Sequence, residues 1–253
     1  MKTRLDKALV ERGLVASRER AQALILAGRV LVAEQRVEKP GTAVDEDAAL
    51  RLIGEDLKYV SRGGLKLERA LEHWSISLAG CACADVGAST GGFTDCMLQH
   101  GAASVLAVDT GYGQIAHKLR VDPRVKLMER CNARLLKAGE LAGASQLPIS
   151  FLAMDVSFIS ATLVLPPVIA ALTSADRLWP GEAVVLIKPQ FEAGREHVGK
   201  GGIVRDESAR ELAISRVREC VVRLGGSSIE VIDSPITGAE GNHEYLLHAF
   251  FKP

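Results

Sequence analysis

No apolar run in the sequence is long enough to span a bilayer. The longest such run, ATLVLPPVIAAL at 161–172, is short and is interrupted by Pro166 and Pro167. The amino-terminal segment MKTRLDKALVERG carries a charge every few residues, where a secretory signal would have an apolar stretch. We therefore expect a cytoplasmic protein without a membrane-spanning or membrane-active segment.

Cysteine and histidine lack the spacing of metal sites. The chain has five cysteines, which are Cys81, Cys83, Cys96, Cys131 and Cys220. They are odd in number, form no CxxC pair and fall on apolar segments, so we interpret them as reduced, buried thiols. His100, His117 and His197 likewise lack partners at ligand spacing, and no metal site is expected.

An excess of positive charge is also missing. Basic and acidic residues number 31 each, so net charge alone does not indicate a nucleic-acid partner. Up to Lys66 the chain holds 13 basic and 10 acidic residues, a net charge of +3 that leaves −3 for the remainder. The length of 253 residues and the hydrophobic fraction of 47% are typical of a globular protein with one small and one medium domain.

The first 57 residues predict two short helices followed by a small sheet. RLDKALVERG places its apolar side chains on one face of a helix that Gly13 ends. Ser17 is a suitable N-cap for a second helix, which Gly28 terminates. Short β-rich runs follow in RVLVAEQRV and ALRLI, with EKPGTAV as a turn between them.

This α+β segment resembles the S4 domain, an RNA-binding module of ribosomal protein S4 and of several RNA-modifying enzymes. In that family the second helix and the following loop present basic side chains to RNA, where guanidinium groups contact phosphates. Arg18, Arg20 and Arg29 occupy the matching places, and we add Arg4 and Arg62 as predicted RNA contacts. On charge alone, an ordinary solvated helix face is the alternative.

After a predicted linker at 58–65, residues 66–253 alternate between strand-like and helical patterns. This alternation is typical of a Rossmann-like α/β fold with a doubly wound parallel sheet. The helical segment RELAISRVRECVVRLGG then precedes two apolar runs, SSIEVIDSPI and EYLLHAFFKP. We predict that these form two final strands that pair as a hairpin at the sheet edge.

The segment CADVGASTGGFTD carries the first functional signal. Its strand ends in an acid, and a glycine-rich turn leads into a helix. Glycines allow backbone to approach a ligand closely, and the free amides at a helix start favour polar or anionic atoms. The residues predicted to contact a cofactor here are Asp85, Gly87, Ser89, Thr90, Gly91, Gly92 and Phe93. A tight turn without a ligand is the alternative.

Asp109 closes the next strand, where Rossmann-like folds place a carboxylate on a ribose diol. The cofactor is therefore predicted to contain adenosine. The turn reads G-x-x-x-G-G instead of the dinucleotide pattern G-x-G-x-x-G, and Asp85 would attract a cationic amino group. Both points favour S-adenosylmethionine over NAD. Asn132, which follows a later strand, is a candidate contact to adenine.

Two further strand ends carry charged side chains. FLAMDVSFIS ends in Asp155, and VVLIKPQFE ends in Lys188. Ligands of open α/β sheets bind beyond the carboxyl ends of the strands, so both side chains should face the cofactor crevice. The alternative is a buried Asp–Lys pair that serves structure only, although such a pair contributes little stability.

The motifs YVSRGGLKLERAL, DVGASTGGFTDCML, VDTGYGQ, MDVSFIS, IKPQFEAGREHVGKGGIVRD and GNHEY together resemble the TlyA family. The resemblance covers nearly the whole chain. Members of that family are named both hemolysins and ribosomal RNA ribose 2′-O-methyltransferases, and their catalytic part is similar to the FtsJ methyltransferases. The resemblance places the Lys-Asp-Lys-Glu tetrad of those enzymes on Lys66, Asp155, Lys188 and Glu244.

The resemblance implies 2′-O-methylation of a cytidine in ribosomal RNA, with S-adenosylmethionine as cofactor and ribosomal RNA or a ribosomal subunit as partner. The implied target lies in 23S rRNA and, in longer members, also in 16S rRNA. Methyl transfer to a hydroxyl needs alignment and a base. We expect Lys188 to be the base and Asp155 and Glu244 to orient the two lysines.

Three interpretations stay open at this point. A membrane-active hemolysin and a catalytically inactive RNA-binding protein are the alternatives to an enzyme. The loop EAGREHVGKGGIVRD after Lys188 is interpreted as an RNA-facing lid, with a mobile connection as the alternative.

Overall fold

The computed structural model describes residues 2–15, 17–53, 58–173, 178–238 and 240–252. The chain divides into two compact units, Met1–Leu57 and Lys58–Pro253. The domain boundary predicted at residue 57 falls outside the described residues. The segment 58–65, which the sequence predicts as a linker, belongs to the larger unit, and its last residues start a helix.

The described residues of the smaller unit form two helices and five short strands. These are β1 (Lys2–Arg4), α1 (Leu5–Glu11), α2 (Arg18–Leu26), β2 (Val30–Val32), β3 (Gln35–Arg36), β4 (Ala43–Asp45) and β5 (Leu50–Leu52). β1 pairs with β4 in antiparallel orientation, and β2 lies between β3 and β5. The two predicted helices are confirmed, but a strand precedes the first of them, and the strands form two small sheets in place of the single sheet predicted.

Local sequence signals set the limits of α2. The Ser17 hydroxyl accepts the N–H of Arg20, which satisfies one of the free donors of the first turn. Gly28 adopts a left-handed φ of +65° just after the helix ends. Leu5, Leu9 and Ile25 are fully buried between the helices and the strands. Each contributes about 1.5–3 kcal/mol through removal of apolar surface from water.

The larger unit contains a seven-stranded sheet. Its strands are β6 (Ala82–Val86), β7 (Ser104–Val108), β8 (Val125–Met128), β9 (Ile149–Met154), β10 (Gly181–Ile187), β11 (Gly226–Asp233) and β12 (Tyr245–Phe251). Its helices are α3 (Gly63–His73), α4 (Gly92–Gln99), α5 (His117–Arg120), α6 (Glu140–Ala144), α7 (Ala161–Leu172), α8 (Pro189–Glu192) and α9 (Glu207–Arg223). Short 3₁₀ turns occupy Ala133–Leu135 and Arg195–His197.

The strand order is β11-β12-β10-β9-β6-β7-β8. The five strands from β10 to β8 are parallel, whereas β12 runs antiparallel to β10 and to β11. Apolar clusters cover both faces of the sheet, one against α7 and α9 and the other against α3 and α4. A sheet covered on both faces explains why β6 is buried along its whole length. The predicted α/β fold and the antiparallel final strands are confirmed.

Within the described ranges, no helix combines the length and the apolar character needed to cross a bilayer. These ranges also contain no group of three or more His, Cys, Asp or Glu side chains placed to hold a metal ion. All five cysteines are free thiols, of which Cys83, Cys96 and Cys220 are buried.

Candidate active site

The glycine-rich turn between β6 and α4 packs directly against the end of β9. Gly87 has a φ of +89°, and a Cβ at this position would lie 2.2 Å from the carbonyl oxygen of Asp155. Gly91 has a φ of +94°, and its Cβ would lie 2.3 Å from a methyl group of Leu119. Only glycine fits at Gly87, because both the backbone conformation and the neighbouring carbonyl exclude a side chain.

A cavity of about 490 Å³, here the cofactor cavity, lies beyond the carboxyl ends of β6, β7 and β9. Its wall includes Gly87, Ser89, Asp109 and Asn132. The Asp109 carboxylate accepts the N–H of Ser89 at 2.7 Å and the N–H of Gly111 at 2.6 Å. These contacts fix the carboxylate and leave lone pairs on both oxygens for a ligand.

Asn132 lies at the far end of the cofactor cavity and begins a 3₁₀ turn. Its side-chain oxygen accepts the N–H of Arg134 at 3.1 Å. The amide group is otherwise exposed, so its N–H donors face solvent and the cavity. This position is compatible with the predicted contact to a nucleobase.

A second cavity of about 640 Å³, here the tetrad cavity, contains Lys66, Asp155, Lys188 and Glu244 in its wall. Thr90, Gly92, Phe93 and Arg62 line it as well. It shares five lining residues with the cofactor cavity, which are Gly87, Ser89, Asp155, Ser157 and Phe158. The two cavities therefore adjoin each other, and the four tetrad side chains lie beside the predicted cofactor site.

The tetrad forms two ion pairs. Lys66 Nζ lies 2.5 Å from Glu244 Oε2, and Lys188 Nζ lies 2.5 Å from Asp155 Oδ1. Both lysines are only 8% exposed, and Glu244 is 4% exposed. Buried charges at this depth persist in a fold when an opposite charge neutralises them, which each pair provides.

Sheet topology explains how distant residues meet here. Asp155 follows β9 and Lys188 follows β10, and parallel strands end at a common edge. Tyr245 of β12 pairs with Ile187 of β10 in antiparallel orientation. Glu244 precedes β12 and therefore lies at the edge where Lys188 emerges.

Asp85 occupies a different place from the one predicted. It is fully buried and lines neither cavity, since it lies beneath the turn on the central strand β6. Its Oδ2 accepts the hydroxyl of Thr94 at 2.6 Å, and within the described chain its Oδ1 has no partner. Burial raises the pKa of Asp85 to about 7, against the lowering effect of the Thr94 hydrogen bond. Gly91 also lines neither cavity, because it faces Leu119.

Three residues with evident structural roles at the site were not singled out from the sequence. Ser157 and Phe158 follow Asp155 and line both cavities, and Phe158 is 91% exposed with a φ of +63°. Asn242 is 1% exposed and precedes Glu244 by two positions. The motifs MDVSFIS and GNHEY contained these residues, but the pattern alone did not separate them from their neighbours.

Asn242 anchors the loop that the sequence interprets as a lid. Its Oδ1 accepts the N–H of Val204 at 2.9 Å, and its Nδ2 donates to the carbonyl of Gly202 at 2.8 Å. Val204 is buried in the core, and Val198 and Gly202 form part of the tetrad-cavity wall. The loop thus forms part of the wall of the tetrad cavity and is hydrogen-bonded to the segment that carries Glu244.

In the smaller unit, a buried carboxylate holds two of the predicted RNA contacts. Asp6 is fully buried, and its side chain lies 2.9 Å from Arg4 Nη2 and 2.9 Å from Arg18 Nε. Gln22 donates a further hydrogen bond at 2.9 Å. The Arg4 guanidinium holds the pKa of the Asp6 carboxyl well below its ordinary value. Both arginines remain exposed at the surface.

The other predicted RNA contacts differ in their surroundings. Arg29 is partly buried and donates from Nε to the carbonyl of Ile53 at 2.9 Å. Arg20 is partly buried on α2. Arg62 is exposed, directly precedes α3 and lines the tetrad cavity.

Two family models match the chain. The FtsJ-like methyltransferase model matches residues 59–251, and the S4 domain model matches residues 3–50. The two matched segments correspond to the larger and the smaller compact unit.

Curated proteins and solved structures resemble the chain over nearly its full length. The protein YqxC of Bacillus subtilis is 47% identical over 247 residues, with 98% of this chain and 85% of the relative covered. The 16S/23S rRNA (cytidine-2′-O)-methyltransferase TlyA of Mycobacterium tuberculosis is 44% identical, with coverage of 97% and 89%. A solved structure from Streptococcus thermophilus, provisionally named a hemolysin, is 43% identical with a TM-score of 0.74, and covers 99% of this chain and 89% of its own.

Proposed function

The chain belongs to the TlyA family of FtsJ-like methyltransferases, and on this premise we propose that it methylates the 2′-hydroxyl of a cytidine in ribosomal RNA. The observation that carries the proposal is the convergence of Lys66, Asp155, Lys188 and Glu244 beside the cofactor cavity. We propose 23S rRNA as the substrate and 16S rRNA as the second candidate, since the Mycobacterium tuberculosis relative is named for both.

The cofactor cavity fits S-adenosylmethionine. Its volume of about 490 Å³ lies in the range of small-molecule sites. The fixed carboxylate of Asp109 suits a ribose diol, Asn132 suits adenine, and the bare Cα of Gly87 allows close approach. When bound, this cofactor supplies an electrophilic methyl group on a sulfonium.

Lys188 is the proposed general base. In its uncharged form, its Nζ would take the proton that the ribose hydroxyl must lose. The cofactor would supply the methyl group and leave as a neutral thioether once the carbon–sulfur bond breaks. Asp155, 2.5 Å away, stabilises the ammonium that forms. Glu244 holds Lys66 in the cavity wall through their ion pair. The Lys66 ammonium attracts the ribose oxygen as that oxygen gains negative charge. The side chains of the tetrad thus align the ribose hydroxyl and remove its proton.

The smaller unit is the proposed RNA-gripping part. Arg4 and Arg18 present exposed guanidiniums on a rigid base, because the buried Asp6 fixes both. Guanidinium groups bind phosphates without regard to sequence. The unit would therefore add affinity for structured RNA and leave the choice of nucleotide to the larger unit.

Phe158 is the proposed stacking surface for a base next to the target ribose. Phe158 is 91% exposed beside the tetrad, and its left-handed φ of +63° is a strain of the kind that tends to occur at functional sites. The Phe191 ring lies 5.6 Å away and supports it. Unpaired RNA bases commonly stack on such exposed rings.

Replacing Phe158 with alanine should raise KM for the RNA by about 5- to 100-fold, because one base–aromatic stack is worth about 1–3 kcal/mol. The dissociation constant of the cofactor should change by less than about twofold. Steady-state methylation and calorimetric titration measure the two quantities. Leu163→Ala, which removes another exposed apolar side chain outside both cavities, is the control. Equal KM values for the two variants would argue against stacking.

The direct test of the function is a map of ribose methylation. Ribosomal RNA from cells with and without the gene is compared, and purified protein is then incubated with unmethylated large subunits and labelled S-adenosylmethionine. We expect one cytidine ribose to lose its methyl group in the deletion and to regain it in vitro. Methylation of a base atom, or no transfer to ribosomal RNA, would contradict the proposal.

A further inference from the structure

The amine of Lys188 has two polar neighbours, Asp155 of the tetrad and Ser157, which lies outside the tetrad. Asp155 Oδ1 lies 2.5 Å from Nζ, and the Ser157 hydroxyl accepts a hydrogen bond from the same Nζ at 2.6 Å. Ser157 lies on the wall shared by the cofactor cavity and the tetrad cavity. Like Asp155, it therefore contacts the base from the wall that the two cavities share.

We propose that Ser157 is a positioning residue that directs the lone pair of Lys188 toward the substrate hydroxyl, an inference that rests on the proposed function. An uncharged primary amine has two N–H donors and one lone pair. The Ser157 hydroxyl accepts one of these donors. The Asp155 carboxylate lies in ion-pair contact at 2.5 Å, but among the described residues its Oδ1 has no hydrogen-bond partner. The Ser157 hydrogen bond therefore sets how the amine is turned, with its lone pair toward the cavity. After proton transfer, the new N–H occupies that direction and donates to the methylated ribose oxygen.

Loss of the Ser157 hydroxyl removes the hydrogen bond that sets the orientation of the amine. The amine then rotates about the Cε–Nζ bond, and an N–H in place of the lone pair faces the ribose hydroxyl for part of the time. The whole side chain is also held less firmly, since a hydrogen bond to a charged or basic amine is among the stronger ones. Alignment of reacting atoms is sensitive to such loosening. The rate of the chemical step falls, while binding does not change.

The position of Ser157 also separates this role from a structural one. Ser157 is exposed, and the hydrogen bond to Lys188 is the side-chain contact that the structure gives it. Truncation to alanine therefore opens no buried cavity. An effect on the rate would come through Lys188 and not through the fold.

The test is single-turnover methylation of large ribosomal subunits at saturating RNA and cofactor. Ser157→Ala should lower the rate by about 10- to 100-fold, with KM for RNA, the cofactor dissociation constant and the melting temperature all near wild type. Ser157→Thr, which keeps a hydroxyl, should recover most of the rate. Ser215→Ala removes a serine hydroxyl on the exposed face of α9, where it contacts Glu219, and should have no effect.

Each other outcome overturns the inference. An unchanged rate in Ser157→Ala shows that the hydroxyl does not position the base. If Ser157→Ala lowers the rate and also weakens cofactor or RNA binding, Ser157 is a binding residue instead. If Ser157→Thr does not recover the rate, the hydroxyl is not the cause of the loss. Absence of ribose methylation by the wild-type protein would refute the proposed function itself, which separates the two failures.

Discussion

Lys188→Ala should lower the single-turnover rate of ribose methylation by about 100- to 10,000-fold, the usual contribution of a general base. The cofactor should still bind with its wild-type dissociation constant, because Lys188 lines the tetrad cavity and not the cofactor cavity. The RNA and the cofactor would still be aligned, but no side chain would remain in place to take the proton of the ribose hydroxyl. Rapid-quench methylation and calorimetric titration measure the two parameters.

The matched control for this variant is Lys126→Ala. Lys126 is an exposed lysine of β8 that donates to the carbonyl of Ala144 at 2.8 Å, outside both cavities. Its removal should leave the rate unchanged. Lys188→Met tests whether the amine or only the bulk of the side chain matters. Near-wild-type turnover in either Lys188 variant would rule out the proposed base.

Gly87→Ala should abolish useful cofactor binding, with a dissociation constant raised by about 100-fold or more. The new Cβ would lie 2.2 Å from the Asp155 carbonyl oxygen, and the φ of +89° disfavours alanine as well. Overpacking and backbone strain each cost about 1–3 kcal/mol, so the turn must move. That movement displaces both the cofactor wall and the strand end that carries Asp155. Calorimetric titration and thermal melting measure the effect.

Gly80→Ala is the control that separates the steric clash at Gly87 from the cost of placing alanine at a left-handed φ. Gly80 has a φ of +73°, and no atom lies within 4 Å of a Cβ built there. This control carries the left-handed penalty of about 1–2 kcal/mol but no steric clash near the site. We expect it to bind cofactor as wild type does. Equal affinities for the two variants would contradict the role given to Gly87.

Much of the site could be predicted because an apolar run followed by a charged residue marks the end of a strand in the sequence. The apolar runs before Asp85, Asp109, Asp155 and Lys188 are strands, and parallel strands bring their carboxyl ends to one edge. The structure brings Asp155 and Lys188 to the same cavity. Lys66 and Glu244 were placed by resemblance to a family, since no local pattern connects them to the strand ends.

Other features depend on packing that a pattern does not contain. Pro166 and Pro167 interrupt an apolar run, yet α7 continues through both of them. Proline removes backbone donors within a helix and leaves earlier carbonyls free. The Cys220 thiol of α9 lies 3.8 Å from the freed carbonyl of Thr162. Burial of α7 against the sheet and α9 outweighs the cost of the missing bonds.

The sequence by itself determined the alternation of strands and helices in the larger unit, the glycine-rich turn and the identity of the side chains at the strand ends, because these follow from local periodicity and backbone preference. Tertiary structure alone decided which partners those side chains take. Lys66 forms an ion pair with Glu244, which lies 178 positions away, and Ser157 accepts a hydrogen bond from Lys188. Asp85 is fully buried beneath the glycine-rich turn. Such contacts arise from strand register and from the packing of distant segments, which no stretch of neighbouring residues specifies.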